Sequence, residues 1–186
     1  MSHYILDACA LINLHCGWGG LAELRTFGTS WSIGDTALRE AMFVRDFDLN
    51  GDICRVTLDP QAVVADGNLQ VLTLDGTPEI ASLVEFALEL DDGEAQAMSL
   101  AFHRKRILVT DDRPAVRVAS GPAGVQTMGT PEILTAWANS NPQQRHRLPT
   151  VVRRMSVLGP FQLKKSSAHY GWWQALLSDG NAGSEV

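Results

Sequence analysis

The sequence predicts an α/β fold built on an open, mostly parallel sheet with helices between its strands. Two short apolar runs, Tyr4-Ile5-Leu6 and Ile107-Leu108-Val109-Thr110, read as strands, the second buried on both faces. Each ends on aspartate, Asp7 in one case and Asp111-Asp112 in the other, and helix-like sequence follows both. Parallel strands that end in acids at one sheet edge bring those acids together, at the edge where open α/β sheets bind ligands.

Taken in order, Asp7 is followed by Ala8, Cys9, Ala10, Leu11, Ile12 and Leu14, a helical pattern for which Asp7 also serves as an N-cap. Gly17 to Gly20 is a break, and Leu21 to Phe27 a short helix. Trp31 to Ile33 is a second strand. Asp35-Thr36 starts a helix whose apolar residues, Ala37, Leu38, Ala41, Met42 and Val44, keep helical spacing, with Glu40 beside that stripe. Residues 50–68 are polar and glycine-marked, a variable connection with strand material at Ile53 to Leu58. Leu69 to Leu74 is a further strand, and Thr77-Pro78 opens a helix that runs to about Leu90.

The stretch LDDGEAQAMSLAFHRKRILVTDD, Leu90 to Asp112, is the least ordinary part of the chain. Ala95, Ala97, Met98, Leu100, Ala101 and Phe102 form a wide apolar helical face. Glu94 lies three, four and seven residues before Ala97, Met98 and Ala101, so it continues that stripe at its N-terminal end. A carboxylate there needs a partner, and the helix start supplies only ~0.3–1 kcal/mol. Asp91 stands one turn before Glu94, and Asp92 reads as the cap. Val125 to Met128 is a last strand, and Pro131 opens a helix through Trp137. Beyond a polar hinge at residues 139–144, Thr150 to Leu158 and Ser166 to Leu177 are helix-like, with much apolar surface to bury. Residues 180–186 are expected to be disordered. The organisation expected is a domain over residues 1–140 and a helical extension over 141–186, packed on it or on a partner.

Composition bounds the function. At 186 residues the chain can bury a core without staples. Cys9, Cys16 and Cys54 have no framework or metal spacing and read as reduced thiols, which with the lack of a secretory pattern points to the cytoplasm. No stretch has the ~18 apolar residues of a membrane span. Residues 1–140 hold 9 Lys and Arg against 19 Asp and Glu, and residues 141–186 hold 6 against 2. An acidic body excludes broad, sequence-independent binding to a nucleic-acid backbone but not a local basic patch. Arg104, Lys105, Arg106, Arg113 and Arg117 are the cations considered for such a patch, each equally a solvated surface residue. The only lysines, Lys105, Lys164 and Lys165, do not support a receiver domain.

Asp7, Glu40, Glu94 and Asp112, with Asp91, Asp92 and Asp111 beside them, form a carboxylate set without a nucleophile–base pair. Clustered carboxylates must protonate or enclose a cation. Mg²⁺ or Mn²⁺, hard ions that keep waters and accept phosphate oxygens, suit such a set, whereas zinc lacks a clustered His/Cys set. The chemistry this favours is hydrolysis of a phosphodiester with one or two metals.

DACALINL, the helix containing Glu40, LDDGEAQAMSLA and ILVTDD, in this order, resemble the PIN-domain ribonucleases, closest to a prokaryotic branch related to VapC-type toxins; VVRRMSVLGPFQL is similar to that branch's closing segment. The resemblance covers about Tyr4 to Leu177. It implies a PIN-like three-layer sandwich with a central mostly parallel sheet, flanking helices and C-terminal helices. It implies Asp7, Glu40, Glu94 and Asp112 as catalytic acids and metal ligands, with Asp111 an alternative to Asp112 and Asp91 acting through a water. It further implies Mg²⁺- or Mn²⁺-dependent cleavage of single-stranded RNA by a homodimer, held inactive by an antitoxin where the protein is a toxin. Cys9 departs from the Ser or Thr common two residues after the first aspartate, and with the acidic charge it motivates the alternative of a non-catalytic regulatory or RNA-binding module.

Overall fold

The computed structural model describes residues 3–159 and 161–181. Five parallel strands form its sheet: β1 (His3–Leu6), β2 (Ser30–Gly34), β5 (Leu69–Leu72), β6 (Ile107–Val109) and β7 (Thr127–Met128), in the order β5-β2-β1-β6-β7. The chain builds outward from β1 to β2 and β5, then returns to place β6 on β1's other side. The strand order therefore reverses between β1 and β6, and every strand ends at the same edge.

Alternation along the strands assigns the two faces. Leu6, Ile33 and Val109 point into one apolar cluster, and Ile5 and Leu108 into another. The first cluster is covered by α1 (Ala8–Trp18), α7 (Thr130–Ser140) and α8 (Leu148–Leu158). The second is covered by α5 (Asp92–Arg104) and α6 (Arg113–Ala119), with α4 (Gly76–Phe86) packed against α5. This is the three-layer arrangement expected from the sequence. From the tail, Val151, Val152, Met155, Leu158 and Trp173 enter the first cluster, and α9 (Tyr170–Asn181) packs on α8. Among the described residues no helix is long and apolar enough to cross a membrane.

Between β2 and β5 the structure departs from the expected pattern. The helix α2 (Asp35–Glu40) stops at Glu40 instead of continuing to Val44. Phe43–Phe47 is strand β3, paired antiparallel with β4 (Ile53–Thr57). Turn chemistry defeats helical spacing here: the Asp48 carboxylate accepts from the amides of Asn50 (2.8 Å) and Asp52 (2.9 Å), and Gly51 takes φ +85. The remainder of the expected connection holds α3 (Pro60–Gly67). The expected polar hinge is a 3-10 turn, Pro142–Arg147, and α9 extends through Asn181; the rest of the tail expected to be disordered, 182–186, lies outside the described residues.

Candidate metal centre at the sheet edge

Asp7 is the first residue past β1 and caps α1, its Oδ1 accepting from the Ala10 amide at 2.6 Å. Its own amide donates to the Val109 carbonyl, which clasps β1 to β6 at the point where strand order reverses. The residue is 2% exposed, and Oδ2 is sealed from solvent without a hydrogen bond. Burial pushes its carboxyl up to about 7; the charges of Asp111 and Asp112 add to this, and the nearby Thr110 hydroxyl and Ala10 amide hold it back in part. A buried carboxylate oxygen with no well-formed hydrogen bond, its nearest donor being the Thr110 hydroxyl, is a costly arrangement unless a cation meets it.

The end of β6 separates the adjacent aspartates. Asp111 turns toward α7: its Oδ1 accepts from the Thr130 amide (2.8 Å), and its Oδ2 accepts from the Thr130 hydroxyl and from Asn13 Nδ2 (3.2 Å). Burial raises its pKa, and these three donors oppose the rise. Asp112 caps α6, with Oδ2 accepting from the Ala115 amide at 3.0 Å, while its amide donates to the Thr110 hydroxyl. Its charge is felt by both Asp7 and Glu94.

The third element of the site is the start of α5. Asp91, and not Asp92 as expected, is its N-cap, accepting from the Glu94 amide at 2.9 Å; Asp92 is the first helical residue. Glu94 is half-buried, and its carboxyl is pushed up to about 7 by burial and then by the charges of Asp91, Asp112 and Asp7. Asp7, Glu94 and Asp112 thus share one electrostatic neighbourhood.

Glu40 reaches the same helix start from α2. Its carboxylate lies against Gly93, where a Cβ would stand 2.7 Å from its Cδ. Burial raises its pKa first, then the charge of Asp91, while the Gly93 amide lowers it. Gln96 fixes this approach by accepting from the Thr36 amide (3.0 Å) and donating to Asp35 Oδ1 (2.7 Å), which ties α5 to the start of α2. Glu40 is exposed at the rim, whereas Asp7 is at the floor.

Cys9 also borders the cluster. Although Cys9 is exposed as a residue, partial burial of its sulfur, and then the charges of Asp7, Glu94, Asp91 and Asp112, push the thiol up to about 12, which favours its protonated form. The basic residues sort by place. Arg104 pairs with Glu79 (2.8 Å), Arg106 reaches Ser32 and Gln70 near the opposite edge of the sheet, and Arg117 pairs with Glu89. Arg113 instead lines a cavity of about 550 Å³ with Asp111, Asp112 and Lys164.

Sequence reasoning passed over Gly93, Gln96, Asn13 and Thr130. Gln96 and Asn13 left a signal, each a polar residue within an apolar helical run. Gly93 and Thr130 left none, because their partners Glu40 and Asp111 are distant in the chain.

The donor set is all hard oxygen, which suits Mg²⁺ or Mn²⁺. Among the described residues no three His, Cys, Asp or Glu side chains converge as a finished protein cage. That is compatible with an ion that keeps much of its water and is held by one or two carboxylates, for which the Asp7 Oδ2, buried without a hydrogen bond, would be a suitable ligand.

Comparison with known proteins bears on the family alone. The model of DUF3368, a PIN domain, matches residues 4–156. No curated protein matches the chain. Among solved structures, the crystal structure of PAE2754 from Pyrobaculum aerophilum is similar, with 18% identity over 74% of this chain and 98% of that one, at a TM-score of 0.45.

Proposed function

Because the chain belongs to the DUF3368 family of PIN domains, a nuclease-like fold, we propose that it is a metal-dependent endoribonuclease that cleaves single-stranded RNA. The observation that carries this reading is the buried Asp7 carboxylate, with one oxygen lacking any partner, in the same electrostatic neighbourhood as Glu94 and Asp112. Asp7, Glu94 and Asp112 would hold Mg²⁺ or Mn²⁺ together with water, and Asp91 would act through a water. When bound, the ion supplies Lewis-acid stabilisation of charge on the phosphate and lowers the pKa of a water. Asp111 keeps the β6–α6 junction oriented, with its oxygens committed to Thr130 and Asn13. Glu40, exposed at the rim with a raised pKa, takes up the proton that the attacking water loses. That water's oxygen bonds to phosphorus as the bond to the leaving ribose oxygen breaks, and that oxygen takes a proton from solvent to leave as the hydroxyl. Arg113 and Lys164, on the cavity beside Asp112, meet neighbouring phosphates.

The test is cleavage of an unstructured oligoribonucleotide by the purified chain with Mn²⁺. Asp7→Asn is expected to lower the rate at least ~100-fold, on the scale of a lost charge-stabilising group. Unchanged cleavage in this variant would sink the assignment. Calorimetry adds a second readout: saturable Mn²⁺ binding that depends on both Asp7 and Glu94. A non-catalytic RNA-binding or regulatory module is the second reading, favoured by the absence of a finished cage among the described residues. It predicts RNA binding without such Mn²⁺ binding. Within the nuclease reading, the toxin of a toxin–antitoxin pair, acting as a homodimer, is the role we infer. The acidic pocket is a seat for a basic side chain of an antitoxin, and a small open reading frame adjoining the gene is the first thing to look for.

A further inference from the structure

We propose that the outward face of the β3–β4 hairpin, with its groove against α1, is a track that leads single-stranded RNA to the acid cluster; this inference rests on the nuclease reading above. Alternation along β3 turns Val44 into the core and Asp46 toward Arg154 of α8, and leaves Phe43, Arg45 and Phe47 outward. Their directly opposed partners on β4 are Thr57, Arg55 and Ile53, all exposed. Phe43 and Phe47 are each 40% exposed and Ile53 50%. Contiguous exposed apolar side chains of this size mark a binding surface.

The charges make the same point independently. Arg45 stands directly across from Arg55, and like charges in that position destabilise a two-stranded ladder. Among the described residues neither guanidinium meets a carboxylate. Asp46 is held by Arg154 at 2.9 Å, and Asp48 by backbone amides in the turn. Arg55 lies over the Phe43 ring, 3.7 Å from its centroid, which leaves its N–H donors at the ring edge for an anion. The ligand that relieves both features carries repeating negative charge and flat apolar faces. In a single-stranded polynucleotide, phosphates meet Arg45 and Arg55 while bases stack on Phe43 and Phe47. Each ring already carries a guanidinium on one face, Arg55 on Phe43 and Arg154 5.7 Å from the Phe47 centroid, so bases would use the outer faces, which an acidic peptide would leave exposed.

Position joins this face to the proposed site. A groove of about 610 Å³ lies between the hairpin, Ile12 of α1 and Leu158 of α8, and on the hairpin side Val44 and Cys54 line it along with Phe43, Arg45, Ile53 and Arg55. Ile12 lies on α1, the helix that Asp7 caps, five residues beyond Asp7. A strand in the groove therefore reaches Asp7 after about 7.5 Å of rise along α1. The chain makes the same link, since α2 ends at Glu40, three residues before Phe43.

The experiment is fluorescence anisotropy of a labelled, unstructured oligoribonucleotide with the full chain in EDTA, so that binding is read without cleavage. The double variant Arg45→Gln/Arg55→Gln is expected to weaken binding at least ~10-fold and to flatten the slope of log affinity against log salt by about 1.4, two phosphate contacts at ~0.7 each. Phe43→Leu/Phe47→Leu is expected to weaken it by about 10-fold or more with the salt slope kept. Melting temperatures near that of the wild type would show that such losses are not losses of fold; Arg45→Gln alone, which removes the opposed charge, is expected to melt no lower than wild type. Wild-type affinity in both double variants, or no RNA binding by the wild type, would overturn the track. So would polyglutamate displacing the RNA as well as competitor RNA of equal charge does, which would make the ligand an acidic peptide. Failure of the nuclease reading would show elsewhere, as no Asp7-dependent hydrolysis of bis(p-nitrophenyl) phosphate by the wild type with Mn²⁺.

Discussion

Asp7 concentrates the residue-scale chemistry. Burial pushes its carboxyl in the folded chain up to about 7 from an ordinary 3.8. The folded state therefore binds a proton that the unfolded state has lost across that window. The corresponding stability is fully present below about pH 4 and disappears as pH rises through about 7, an effect on the order of 4 kcal/mol. Thermal melts in EDTA should accordingly show the wild type losing more stability between pH 5 and pH 8 than Asp7→Asn, whose amide keeps the helix cap without the charge. Equal slopes for the two proteins would refute the burial argument. Asp7 itself was legible in the sequence because a strand, an acid and a helix follow one another within a few residues. The division between Asp111 and Asp112 was not, because it depends on Asn13 and Thr130, which lie 98 and 19 residues from Asp111.

At the scale of elements, the junction of α2 with α5 decides where Glu40 stands. α5 begins with an Asp91 cap and a bare Gly93 against which the Glu40 carboxylate rests, and Gln96 locks the α2 start in place. Gly93→Ala is a mild change for a helix, favourable by up to ~1 kcal/mol in propensity. Its methyl group would nevertheless occupy the space of the Glu40 carboxylate. The expected outcome is little change in melting temperature and about a 10-fold loss in RNA cleavage, on the scale of a misplaced catalytic group. Wild-type turnover in this variant would remove Glu40 from the mechanism. Most elements could be read from periodicity and caps. The hairpin could not, because Ala37, Leu38, Ala41, Met42 and Val44 keep helical spacing up to the point where the Asp48–Gly51 turn takes over.

Across the whole molecule, the acids depend on a sheet held between two apolar clusters, and α8 clamps α1, the helix that Asp7 caps. Gly17 allows that close approach: a Cβ there would lie 2.7 Å from Met155 Cγ and 3.1 Å from Val151 Cγ1. Gly17→Leu is expected to cost about 1–3 kcal/mol as an overpacked contact, read by urea unfolding, whereas Gly28→Ala, with nothing near it, should cost less despite its positive φ. A smaller loss at position 17 than at 28 would mean that α1 and α8 do not pack as described. The α/β class and the parallel strands ending in acids followed from the sequence alone, because burial on both faces and capping are local properties written in short runs of residues. Tertiary structure alone decided the strand order that sets Asp7 beside the end of β6. It also decided the commitment of Asp111 to α7, the seat of Glu40 on Gly93 and the outward face of the hairpin. Each of these depends on which distant segments meet, and pairing between distant segments leaves no period in the chain.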